Sequence, residues 1–220
     1  KKKKNSINYF DFLQNKKIMN EIKSDINVKN FHGIAIDTRV LKKNNLFLTI
    51  KGKNNNGVKF IPEALKKGAK YIISSKTLKN FPKKFTIKVK NEFNFLNNFA
   101  ILKRKYSNAK IVAITGSAGK TSLKNLINEL LKNFGKTFCS PKSYNNHYGV
   151  PLSLSLLSTN NRYGVFEVGM SKAGEINKLS KMIKPHIGII TNVGEAHIEN
   201  FKNLKGIAKA KGEIINNIQE

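Results

Sequence analysis

Residues Thr115 to Ser122 read Thr-Gly-Ser-Ala-Gly-Lys-Thr-Ser, directly after the apolar run Ile111-Val-Ala-Ile114 and before a stretch of helical periodicity. Strand, glycine loop and helix in that order suit the holding of a nucleoside triphosphate and its magnesium. Gly116 and Gly119 let backbone N–H groups turn inward around phosphate oxygens, and the helix N-terminus adds the positive end of its dipole. Lys120 is placed to reach the outer phosphates and the Thr121 hydroxyl to ligate Mg2+. Gly116, Ser117, Ala118, Gly119, Lys120, Thr121 and Ser122 are therefore the candidate nucleotide-binding residues. The long form of such a loop has a glycine where Ile114 stands, so this is the shorter Gly-x-x-Gly-Lys-Thr version.

Other residues carry chemistry at the expected carboxyl edge of a sheet. Glu167 lies in the apolar strand Gly164-Val-Phe-Glu-Val168, and open α/β sheets bind ligands at that edge. A carboxylate there can hold Mg2+ beside Thr121; the alternative is a solvated strand end. His197 follows the strand that ends at Thr191; taken alone, a loop histidine is more often an ordinary polar residue. Asn145 and Asn146 offer amides to the phosphates or to a substrate peptide, and equally suit a turn. His147 sits in the same polar loop, while His32 and His186 read as structural. The single cysteine, Cys139, can form no internal disulfide and fits an inert thiol at a strand end in a reducing compartment.

The elements that must position these groups alternate. Ile34–Asp37, Leu46–Ile50, Tyr71–Ile73 and Phe85–Val89 read as short strands, with a Gly/Asn-rich loop over Lys51–Gly57 and a helix over Ile61–Lys67 ended by Gly68. Residues 92–105 follow helical spacing, with Phe95, Phe99 and Leu102 on one face. After the phosphate loop, Leu123, Leu126, Ile127, Leu130, Leu131 and Phe134 form one wide apolar stripe. Helices over Glu175–Ile183 and about Leu204–Ile218 flank the strand Ile187–Thr191, so that Gln219-Glu220 ends the chain inside a helix. The predicted class is α/β: a small N-terminal α/β domain over 1–90, then a P-loop domain with a parallel sheet covered on both faces over 91–220.

The chain has 220 residues and a net charge of +28. Only Arg39, Arg104 and Arg162 among its 41 basic residues are arginine, and tryptophan is absent. Readers of nucleic acid favour arginine forks and aromatic stacking, so a basic P-loop module that binds nucleic acid is the weaker reading. Even lysine usage alongside much Asn and Ile fits AT-rich coding, and a basic surface still attracts phosphorylated substrates. No apolar run is long enough for a membrane span and no secretory leader follows Lys1–Lys4, which gives a cytoplasmic expectation without membrane insertion or a nucleic-acid partner.

The short loop, with further stretches, resembles the Mur ligase family. These stretches are Ser143-Tyr-Asn-Asn-His-Tyr-Gly-Val-Pro151, Glu167-Val-Gly-Met-Ser171 with Gly174-Glu-Ile176, Thr191-Asn-Val-Gly-Glu-Ala-His197-Ile-Glu199, and Ala208-Lys-Ala-Lys-Gly-Glu213. Asp37-Thr-Arg39 followed by Leu46-Phe47 is similar to the family's uridine-nucleotide domain, with Thr38 and Arg39 as substrate contacts; Asn56-Gly57-Val58 departs from the family's Asp-Gly-His. The resemblance implies an ATP-dependent peptide-bond-forming ligase, most like the branch that adds D-Ala-D-Ala to a UDP-linked muramoyl peptide through an acyl phosphate. Another Mur-type amino-acid ligase is the alternative within the family. It implies Lys120, His197 and Lys211 as catalytic residues, and Thr121, Glu167, His197 and Lys211 as Mg2+ ligands. Lys211, 14 residues after His197, is placed where the family carries a carbamylated lysine, with Lys209 its near neighbour. It further implies a monomer whose chain stops part-way through the central domain, lacks the C-terminal ligase domain, and is inactive by itself.

Overall fold

The computed structural model describes residues 33–51 and 56–220. His32, the four leading lysines and residues 52–55 of the Gly/Asn-rich loop lie outside the described residues. The chain divides into two compact units, Lys1–Leu102 and Lys103–Glu220.

In the first unit four short strands form a parallel sheet in the order β1-β2-β3-β4: β1 Ile34–Ala35, β2 Leu46–Leu48, β3 Tyr71–Ser74 and β4 Thr86–Lys88. Helix α1, Ile61–Lys66, has Pro62 in its first turn, where no N–H is missed. It stops before Gly68, whose φ of 85° ends the helix. Ile61 and Ala64 of α1 bury against Phe47 and Ile72 of the sheet. Helix α2, Glu92–Tyr106, buries Phe95, Leu96 and Phe99, the two rings stacked at 6.3 Å. Asp37 and Arg39 follow β1 in a turn, where the guanidinium grips the carboxylate of Asp37 at 2.7–3.0 Å. Buried Thr38 lies between them, its carbonyl accepting from Lys67 Nζ.

The second unit has β5 Lys110–Thr115, α3 Lys120–Lys132, β6 Thr137–Cys139, α4 Gly149–Leu156, β7 Tyr163–Glu167, α5 Glu175–Ile183, β8 Ile187–Ile190 and α6 Leu204–Gly212. The sheet order is β6-β7-β5-β8, every pair parallel. In the register Ile114 faces Glu167 and Thr115 faces Ile190. The phosphate loop, the Glu167 carboxylate and the segment after β8 therefore leave the sheet at one edge. Helix α5 starts at Gly174 (φ 83°), buries Ile176, Leu179 and Ile183, and ends at Lys184 (φ 48°). The Arg104 guanidinium closes its C-terminus by donating to the carbonyls of Ile183 at 2.6 Å and Lys184 at 2.8 Å. Among the described residues no helix is long and apolar enough to cross a membrane.

Three expectations change. The apolar stripe on α3 is split: Leu123, Ile127 and Leu131 pack on Val112, Ile114 and Val165, but Leu126, Leu130 and Phe134 are exposed. Lys124 takes the buried place beside Leu123 and rotates the inward face away from them. The last helix is shorter, α6 giving way to a 3-10 turn over Glu213–Asn217 and extended backbone at Ile218, so the chain does not end inside a helix. The strand end expected at Cys139 is β6, and α4 is an element that the residue pattern does not predict. β6 has only three half-buried residues. α4 is buried along nearly its whole length, so it shows no polar face.

Candidate functional site

The phosphate loop is held open by the segment after β8. Thr191 Oγ1 donates to the Ala118 carbonyl at 2.6 Å, and Ser117 Oγ exchanges hydrogen bonds with the carbonyl and N–H of Gly194, both 2.9 Å. Asn192 Oδ1 accepts from the N–H groups of Ser117 and Ala118 at 3.1 and 3.0 Å. Close approach demands glycine at 116: a Cβ there would sit 1.8 Å from Thr191 Oγ1, and φ is 149°. Gly119 (φ 76°) is the cap of α3, whose first N–H groups have no partner within the helix. These donors, with the dipole end, point to an anion. Lys120 Nζ folds back to the Gly116 carbonyl at 2.6 Å.

In the first turn of α3, the Thr121 hydroxyl donates to Glu167 Oε2 at 2.7 Å. Asn145 Nδ2 donates to Glu167 Oε1, also at 2.7 Å. Glu167 is 1% exposed. A hydroxyl and a carboxylate oxygen side by side at the mouth of a phosphate loop are the hard oxygen donors that Mg2+ takes, so the donor set fits that ion. Asn146 serves a different end: its Oδ1 accepts from the N–H groups of Tyr148 and Gly149 and starts α4.

A cavity of about 420 Å3 opens beside the loop; its walls include Lys120, Asn145, Asn146, His147, His197 and Lys211. His197 stands in the left-handed region (φ 64°), with Nδ1 3.6 Å from the Glu199 carboxylate. Such backbone in a non-glycine residue recurs at functional sites. Lys211 is 3% exposed, and burial, helped by the charge of Lys120, lowers its pKa. Lys209 points to solvent. Glu213 fixes the end of α6 on α5 by accepting from the N–H groups of Gly174 at 2.7 Å and Asn177 at 3.1 Å. The structure thus brings the loop, Asn145, Glu167, His197 and Lys211 to one edge of the second unit. Thr38 and Arg39 belong to the first unit. Cys139 ends β6 half-buried, and burial raises its thiol pKa.

Sequence reasoning passed over Lys124, Asn192 and Glu213. Lys124 left a signal: it stands at i, i+3, i+7 spacing with Ile127 and Leu131, on the edge of the face that packs on the sheet. Asn192 and Glu213 lie inside recognised stretches, but nothing in their residue type announces a contact across elements.

The model described as "Mur ligase middle domain" matches residues 114–220, and that described as "Mur ligase family, catalytic domain" matches residues 30–97. A UDP-N-acetylmuramoyl-tripeptide–D-alanyl-D-alanine ligase from Rickettsia prowazekii is 38% identical over 194 residues, which are 88% of this chain and 43% of that protein. The enzyme of the same name from Bacillus subtilis is 34% identical, over 86% of this chain and 42% of its own. Among solved structures, MurF from Acinetobacter baumannii superposes with a TM-score of 0.82 at 27% identity, covering 97% of this chain and 46% of that one. MurF ligase from Thermotoga maritima in complex with ADP gives 0.72 at 32% identity, over 86% of this chain and 44% of that one. The chain spans less than half the length of the relatives it matches.

Proposed function

The chain belongs to the Mur ligase family, and from that premise we propose that it carries the nucleotide-binding part of an enzyme joining D-alanyl-D-alanine to a UDP-N-acetylmuramoyl-tripeptide. ATP drives this step of peptidoglycan precursor synthesis, in the cytoplasm and in a monomeric enzyme. The observation that carries the reading is the meeting of Thr121 and Asn145 on the buried Glu167 carboxylate, beside a cavity that Lys120, His197 and Lys211 share.

We assign the first unit, with Thr38 and Arg39, to the uridine nucleotide and the second to ATP. The N–H groups at the start of α3 take phosphate oxygens, and Lys120 swings from the Gly116 carbonyl to the outer phosphates. Thr121 and Glu167 would hold Mg2+, which when bound neutralises phosphate charge. The terminal carboxylate of the tripeptide attacks the γ-phosphorus and ADP leaves. The amine of D-Ala-D-Ala then adds to the carbonyl of the acyl phosphate, loses a proton, and the tetrahedral adduct expels phosphate. In Lys211 burial favours the neutral amine. Carbamylated by CO2 with loss of a proton, Lys211 would hold a second Mg2+ together with His197. Asn145 sets Glu167 and borders the cavity; Asn146 holds the start of α4.

The test is phosphate release by the whole reading frame that carries this chain, given ATP, Mg2+, the UDP-linked tripeptide and one amine at a time. Release that requires D-Ala-D-Ala supports the assignment, and release with single amino acids alone moves the enzyme to another branch of the family. Binding of single-stranded DNA that survives about 200 mM salt would instead favour a nucleic-acid module.

A further inference from the structure

Lys124 is a buried charge that the chemistry of the site does not itself require. Its side chain is 1% exposed, on the second turn of α3. An ammonium has three donors, and three acceptors surround this one. Nζ donates to the Ser140 carbonyl at 2.9 Å and to the Lys142 carbonyl, and lies 3.7 Å from Glu167 Oε2. A buried ion pair is rarely a gain in stability over apolar residues of similar volume, so stability is a poor reason for a lysine here.

All three acceptors belong to the edge that holds the proposed metal site. Ser140 is tied to β7 twice: its N–H donates to the Val165 carbonyl, and its Oγ accepts from the Glu167 N–H. Lys142 stands in the left-handed region (φ 45°) at the turn leading to Asn145, which reaches Glu167 Oε1. A cation between Thr121 and Glu167 replaces the hydroxyl's hydrogen bond. Asn145 holds the other carboxylate oxygen, Oε1, while the Lys124 ammonium faces Oε2 from 3.7 Å, beyond hydrogen-bonding distance, so neither takes the hydroxyl's place.

We propose that Lys124 is a positioning residue for the metal edge: its buried ammonium keeps Glu167 turned toward Thr121 and pins the Ser140–Lys142 turn that delivers Asn145. This rests on the reading of Thr121 and Glu167 as the Mg2+ ligands. Groups that orient a metal ligand from behind typically change metal affinity by about 10–100-fold when removed.

The experiment measures binding of a fluorescent ATP analogue to the full chain with excess Mg2+ and with EDTA. Lys124→Met removes charge and donors; Lys124→Gln keeps amide donors, is the gentler change for folding, and is the deciding variant should Lys124→Met fail to fold. Circular dichroism melts identify folded samples. The expected result is that Mg2+ tightens wild-type binding, that the variants lose about tenfold or more of that tightening, and that their EDTA affinities stay within about twofold of wild type. An unchanged or larger Mg2+ effect in a folded variant overturns the proposal. Equal losses with and without Mg2+, the mark of general damage to the phosphate loop, also overturn it. Wild-type binding indifferent to Mg2+ overturns the metal reading beneath it as well.

Discussion

Alanine at two glycines of one loop should have very different consequences. At Gly119 a Cβ meets nothing within 4 Å, so Gly119→Ala carries only the left-handed backbone penalty, about 1–2 kcal/mol. At Gly116 the same atom falls 1.8 Å from Thr191 Oγ1, 3.0 Å from Thr191 Cβ and 3.2 Å from the Asn192 nitrogen. Gly116→Ala adds overpacking of about 1–3 kcal/mol to a comparable backbone cost. It also displaces the hydroxyl that binds the Ala118 carbonyl, worth about 1 kcal/mol. The expected totals are about 1–2 and about 3–6 kcal/mol. At about 3 °C or more per kcal/mol, melting of the second unit falls by about 3–6 °C in Gly119→Ala and by about 10 °C or more in Gly116→Ala. Thr191→Ala provides the sharper check. Alone it removes hydrogen bonds and destabilises; on the Gly116→Ala background it removes the clashing oxygen and stabilises. Melting curves for the four variants, with nucleotide titrations, read all of this. Equal losses at the two glycines, or a Thr191→Ala cost that simply adds to that of Gly116→Ala, would refute the close approach between loop and β8.

Two other predictions use titration and chemistry. His186 Nδ1 accepts from the Ile111 N–H at 2.9 Å, and burial first, then Lys110 and Arg104, lowers its pKa from the ordinary 6.5. The folded state thus binds fewer protons than the unfolded one, and stability is full above about pH 6.5. It declines as pH falls through 6.5 toward the folded value; His186→Asn should flatten that part of a stability–pH curve, and an unchanged slope counts against the bond. For Lys211, substitution by alanine in the whole enzyme should lower ligation by at least about 10–100-fold, the loss typical of even an outer-shell partner of a metal. Lys209→Ala should leave ligation unchanged, and in the wild type depletion of CO2 should slow turnover until bicarbonate is restored. Full activity of Lys211→Ala, or indifference to bicarbonate, removes the carbamate.

The legible parts of this protein are those where local rules and tertiary fate coincide. The run from Ile111 through Lys120 is visible because a buried strand, two left-handed glycines and a helix start each leave a local mark. Helix α5 is visible because Gly174 precedes it and Ile176, Leu179 and Ile183 share one face. β6 is too short to alternate, and α4 is buried all round, with Ser153 bonding back to the Gly149 carbonyl. Neither offers a period to detect. The site shows the same division. Loop residues, Glu167 and His197 follow from motif and strand-end logic. The contacts of Lys124, Asn192 and Glu213 depend on which strands lie side by side, and that is a property of the β6-β7-β5-β8 order rather than of any local stretch. Exposure also separates Lys211 from Lys209, which spacing alone leaves as near neighbours.

On the proposed function, the edge formed by Thr121, Glu167 and Lys120 serves transfer of phosphate to a carboxylate. Isotope tracing tests it most directly. The UDP-linked tripeptide, labelled with 18O in its terminal carboxylate, is turned over by the whole enzyme with ATP, Mg2+ and D-Ala-D-Ala, and the released phosphate is read by 31P NMR. An acyl-phosphate route carries one labelled oxygen from the carboxylate into phosphate, in step with peptide-bond formation. Unlabelled phosphate alongside ligated product would rule out the acyl phosphate.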